Sequence, residues 1–145
     1  MTRLADVLTS NEKKARVVSD TLQLIDQEVA EKSGISGMAI KAGYKAVKGI
    51  KPGFLEKVVN DLLPEFADAV DPIYQEAIAK NRSVRDYFVE NRGRVADSLL
   101  AITDGRARRA QSGVVKATYE RLRGSAKKNV EDAVPRLGAL IEKHT

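Results

Sequence analysis

The sequence has no cysteine and no tryptophan, and its single histidine is His144. Without thiols there is no disulfide framework, no thiolate nucleophile and no Cys-ligated zinc site. One histidine beside the C-terminus, where chain ends fray, leaves neither an H-E-x-x-H metal site nor a Ser-His-Asp relay. Long apolar runs are also missing. The longest stretch free of charge is Ser33–Ile40, far short of the ~20 residues a membrane-spanning helix needs. The opening MTRLADVLTSNEKK carries charges where a secretory signal would place its apolar core. No segment of useful length alternates with strand period, and no internal repeat occurs. These absences lead us to expect a cytoplasmic protein with no catalytic residue, no metal and no cofactor.

What is present is amphipathic helix. With 43% hydrophobic and 31% charged residues, the composition is that of a folded domain. A chain of 145 residues suits one domain spanning residues 1–145 with a core of its own. Thr9-Ser-Asn-Glu has the T-x-x-E shape of a capping box. After it, Ala15, Val18, Leu22, Ile25 and Val29 recur at gaps of three and four, widened by Val17 and Leu24. Gly34 is expected to end that helix, and a short helix near Arg3–Leu8 to precede it.

Gly34–Phe54 holds five glycines and four lysines. It does not form a Walker loop, because five residues separate Gly37 from Gly43 where the loop has four, and Tyr44 replaces the lysine. Ser36 instead can cap a helix running to about Gly49, with Ala39, Gly43, Ala46 and Ile50 on one contact face. Lys41, Lys45 and Lys48 fall opposite. Gly43 there predicts a close approach by a neighbour, since glycine otherwise costs about 1 kcal/mol in a helix. A phosphate or carboxylate held by Ser33–Gly37 with Lys41 stays open as a minor reading.

Beyond Pro52, the prolines predict several short helices: one from Pro52 to Leu63, then starts at Pro64 and Pro72 with Asp71 as an N-cap. Ser83 caps the next helix, which carries Val84, Tyr87 and Phe88. Val95, Ala96, Leu99, Leu100 and Ile102 define another, and Ser112-Gly113 breaks the pattern. The clearest period comes last. Val115, Tyr119, Leu122, Ala126, Val130, Ala133, Leu137 and Leu140 keep one helical phase through Gly124 and Pro135. The fold is expected to be all-α, a single-domain bundle of roughly seven or eight helices with a long C-terminal helix kinked at Pro135.

Charge is divided along the chain. Gly53–Ala79 has one lysine against six acids, whereas Lys80–Lys128 has 13 basic residues against five acids. Arg82, Arg85, Arg92, Arg94, Arg121, Arg123, Lys127 and Lys128 are candidates for a surface that binds nucleic acid, acidic lipid or an acidic protein. The acidic pairs Asp68 with Asp71 and Glu65 with Asp68 read better as solvated faces than as cation ligands. The aromatic residues read as core more than as a stacking platform.

"LADVLTSNEK", "SGMAIKAGYKAVK", "LLPEF", "LLAITDGRA" and "LRGSAKKNVEDAVPRLGALIEKH" resemble a family of small, uncharacterised all-helical proteins from actinobacteria. The resemblance spans essentially the whole chain. It implies a bacterial cytosolic protein and supplies no residue roles. Three functional expectations stand side by side. The first is a non-enzymatic interaction protein, a homo-oligomer presenting its long C-terminal helix or its Gly43 face. The second is an anion-binding module built on the arginines. The third is a small-molecule binder with a pocket between helices.

Overall fold

A computed structural model describes residues 3–145. Seven helices follow one another: α1 (Leu4–Leu8), α2 (Lys14–Glu31), α3 (Gly34–Lys48), α4 (Phe54–Ala79), α5 (Val84–Glu90), α6 (Arg92–Arg108) and α7 (Gly113–His144). No strand occurs among the described residues. The largest fully buried side chains are Phe88, Leu4, Ile73, Ile141, Val17, Val95 and Val134. They come from six of the seven helices and meet in one core. The exception is α3, whose only buried residues are Gly37 and Gly43.

The expected series of short helices between Pro52 and Lys80 is instead one helix, α4, with Pro64 and Pro72 inside it. Each proline removes one N–H from the ladder, a loss of roughly 3 kcal/mol in an isolated helix. The buried stripe Val59, Leu63, Ala67, Val70, Tyr74 and Ala77 keeps its phase across both, so continuous burial outweighs the interruptions. Asp71 therefore does not cap its own helix. Its carboxylate accepts the Leu4 N–H at 2.8 Å and caps the start of α1.

Other boundaries shift for local reasons. Thr9 ends α1 rather than starting α2, its hydroxyl donating to the Ala5 carbonyl, and α2 begins at Lys14 with no side-chain cap. Gly34, at φ +72°, opens α3 two residues before Ser36. The Ser83 and Ser112 hydroxyls accept from the Asp86 and Val115 N–H groups, each at 3.3 Å. Helix α6 passes through Asp104-Gly105 without a break, and α7 likewise through Gly124 and Pro135. The end of the chain does not fray. His144 is buried, its Nε2 lies 2.7 Å from the Asp20 carboxylate, and Lys13 donates to its carbonyl at 2.7 Å.

A candidate ligand-binding cleft

The arginine-rich segment folds onto the acidic one. Arg94 makes a paired contact with Glu76 at 2.8 and 3.0 Å, and Arg106 closes on Glu65. Hydrogen bonds first from Arg94 and then from Tyr87 hold the Glu76 carboxyl at about 2. Arg82 pairs with Glu90, Arg92 lies 3.8 Å from Glu131, and Lys127 lies 3.2 Å from Asp97. Arg123 grips Asp104 with two hydrogen bonds at 2.8 and 3.1 Å, and Tyr119 donates to the same carboxylate. Five of the eight candidate anion ligands are thus engaged within the chain. Arg85, Arg121 and Lys128 make no ion pair within 4.0 Å among the described residues.

The face around Gly43 is turned relative to the expected one. A Cβ built on Gly43 would lie 2.8 Å from Thr118 Cγ2 and 3.2 Å from Leu122 Cδ1, so α3 packs closely on α7 of the same chain. Ala39 and Ile50 are half-buried, while Ala46 is exposed and does not belong to the contact. Its place is taken by Ile40 and Val47, which are half-buried. The reason is geometric: the solvent-facing arc runs from the lysines through Met38, Ile35, Ala42 and Ala46, and the side opposite that whole arc centres on Ile40, Gly43 and Val47 at 100° per residue. Gly37 has a packing reason too, because a Cβ there would meet the Lys32 carbonyl carbon at 2.7 Å.

Between the helices lies a cleft of about 320 Å³. Its deep wall is Leu63, Ala67, Val70, Leu140 and Ile141, all buried. Nearer the opening come Ile25 and Val29 of α2, Ile40 of α3, Phe66 of α4 and Val130 and Ala133 of α7, all half-buried. Only Thr21, Glu28, Lys32 and Asn129 bring polar side chains to it. Thr21 is already engaged, donating to the Val17 carbonyl at 2.7 Å.

A polar hollow of about 400 Å³ adjoins this cleft and shares Glu28, Lys32, Ile40 and Asn129 with it. It adds Glu31, Ser33, Ser36, Ser125, Lys128 and Asp132. Arg136 bridges Glu28 and Glu31 at its edge. Hydrogen bonding, first to Glu31 and then to Glu28, raises the guanidinium above its ordinary range, and the same contact depresses Glu31. Lys32 keeps only 17% of its side chain exposed and reaches Asp132 at 3.3 Å. Arg136 and Lys32 offset two of these three acids, and the exposed Lys128, which makes no ion pair within 4.0 Å among the described residues, brings the formal charge around the hollow to zero.

A model described as a family of unknown function, DUF6918, matches residues 4–145. The chain belongs to that family. No curated protein and no solved structure matches it. This DUF6918 chain has no group of three or more metal-ligating side chains placed to hold an ion among its described residues. Among the described residues, no helix is long and apolar enough to cross a membrane.

The cleft was only half legible in advance. The periodic stripes of α2 and α7 mark Ile25, Val29, Val130, Ala133 and Leu137 as inward-facing. That these side chains leave a space instead of closing on one another depends on helix separation, which no periodicity encodes. Lys32 and Asn129 carry no sequence signal at all. They matter because α2 ends beside the middle of α7.

Proposed function

We propose that this protein binds a small amphiphile, its apolar body in the interhelical cleft and its polar end beside Lys32 and Asn129, without converting it chemically. The observation that carries the reading is an apolar cleft continuous with a polar hollow. Protein interiors pack as densely as organic crystals, with few voids larger than a water. A volume of 320 Å³ lies at the lower end of the roughly 300–1,000 Å³ usual for ligand sites. Aliphatic walls supply the affinity, and a few polar groups at one end fix orientation. Lys32 has donors left after Asp132, and Asn129 uses its amide N–H on Ser125 at 3.3 Å, leaving its carbonyl oxygen to face a ligand.

We prefer this reading to self-association as the primary role, because the Gly43 face expected for an oligomer contact packs within the chain. The Gly43 face lies on α7, and α7 itself is flanked by α2, α3, α5 and α6. The cytoplasmic setting and actinobacterial source implied by the sequence resemblance are kept as part of the proposal. The test is binding of laurate, read by displacement of the fluorophore ANS from the folded protein. Saturable displacement is expected, and Ala133→Trp, which fills the cleft, should abolish it while the melting temperature holds or rises. Equal binding by Ala133→Trp, or no binding by the parent, rejects the cleft as a site.

A further inference from the structure

We infer that the outer face of α3 is a docking surface for an anionic lipid bilayer. Among the described residues, the two most exposed large apolar side chains both lie on this helix, Ile35 at 89% and Met38 at 71% exposure. Ala42 and Ala46 continue the face and are also exposed. At 100° per residue these four positions fall within an arc of about 80°. Lys45, Lys41 and Lys48 line one border of that arc, where long stems can lie along the apolar surface with their ammonium groups in the headgroup layer.

Charge selects the partner. From Lys32 to Leu55 the sequence contains five lysines and no acid. Lys41, Lys45 and Lys51 have no carboxylate within 4.0 Å among the described residues, and Lys48 has one only at 3.9 Å, Asp26. The arginines of α5 and α6 are mostly neutralised by the chain's own acids, so these lysines form a cationic patch left open. A basic amphipathic helix with apolar side chains on its free face is the form that lies in a bilayer interface.

The orientation is built in. Tyr44 donates to Asp26 of α2, and Gly43 seats α3 on Thr118 and Leu122. With those contacts inward, Ile35 and Met38 can only face out. A second copy is the poorer occupant. Two such faces would oppose lysine to lysine, and two large side chains with two alanines fall well short of the ~800 Å² per partner of a standard interface. The inference does not rest on the amphiphile reading: docking needs the outer face of α3, and the cleft lies on its inner side.

The experiment is co-sedimentation of the full chain with phosphatidylglycerol vesicles and, separately, with phosphatidylcholine vesicles, at low and high salt. Binding to the anionic vesicles alone, weakening as salt screens the lysines, is the expected result. Ile35→Glu with Met38→Glu should remove it with no change in melting temperature, since both side chains are exposed. Lys41→Glu with Lys45→Glu should weaken it roughly tenfold or more. The inference is overturned by absence of binding to phosphatidylglycerol, or by binding indifferent to Ile35 and Met38. It is overturned equally by a dimer in light scattering that the same two substitutions dissolve. The cleft-filling Ala133→Trp should leave vesicle binding intact, which separates a failure here from a failure of the cleft.

Discussion

The two halves of α7 share one sequence period and are held in different ways. From Val134 onward the helix is buried: Val134, Gly138, Leu140, Ile141 and His144 all lose nearly all contact with solvent. Gly138 lies so close to α5 that a Cβ would come within 2.7 Å of Arg85 Cα. Between Gly113 and Ser125, no residue is buried, and Val115, Tyr119 and Leu122 are only half-covered. That half is held by polar contacts to α6. Tyr119 and Arg123 converge on Asp104, and Thr103 joins Tyr119 at 2.8 Å. Burial anchors one end, and polar contacts to α6 with the seat of α3 on Thr118 and Leu122 hold the other. Equal periodicity therefore does not mean equal burial.

The largest expected effect follows from packing. Ile141→Ala should cost about 2–5 kcal/mol in urea unfolding, as deletions of fully buried side chains do. Val115→Ala, at a half-buried site, should cost well under half as much. Similar losses at both sites would erase the distinction between the halves.

Glycine gives a smaller contrast with opposite signs. Gly138→Ala forces a methyl against the α5 backbone and should destabilise by about 1–3 kcal/mol. Gly124 has nothing within 4 Å of a built Cβ, so Gly124→Ala should stabilise by about 0.5–1 kcal/mol through helix propensity. Denaturation midpoints of the two variants should move apart.

The smallest effect is a pH dependence. Hydrogen bonds from Arg123 and then Tyr119 push the Asp104 carboxyl below its ordinary value. A depressed carboxyl adds stability above the unfolded pKa near 3.8, and that stability is lost as pH falls through the folded value. Amides of residues 113–125 should therefore lose hydrogen-exchange protection in acid before those of 134–144. Asp104→Asn should remove the pH dependence of the first segment, and only weakly affect the second. Asp20 is depressed in the same sense, by Lys143 and then His144, but that end of α7 is also held by the buried side chains of Val134, Leu140 and Ile141.

Much of this was legible from residues alone. The spacing of Val130, Ala133, Leu137 and Leu140 marks a long final helix, and Ser83 caps where its position indicates. Local signals failed where a distant group answered the same need. Asp71 reads as a cap for its own helix and caps α1 instead. Pro64 and Pro72 read as helix starts, yet a continuous buried stripe carries α4 through both. His144 reads as a frayed end and is held by Asp20, which lies 124 residues away. The anion surface suggested by the arginines shrinks for the same reason, since composition counts charges and does not pair them.

By itself the sequence determined the helical class, the absence of thiol chemistry and the close approach required at Gly43. Each is fixed by residue type and by spacing within a few turns. Tertiary structure alone decided which charges are neutralised, where side chains fail to close and leave a cleft, and which face of α3 stays uncovered. Those depend on distances between elements far apart in the chain, and packing sets them only once all the helices are in place.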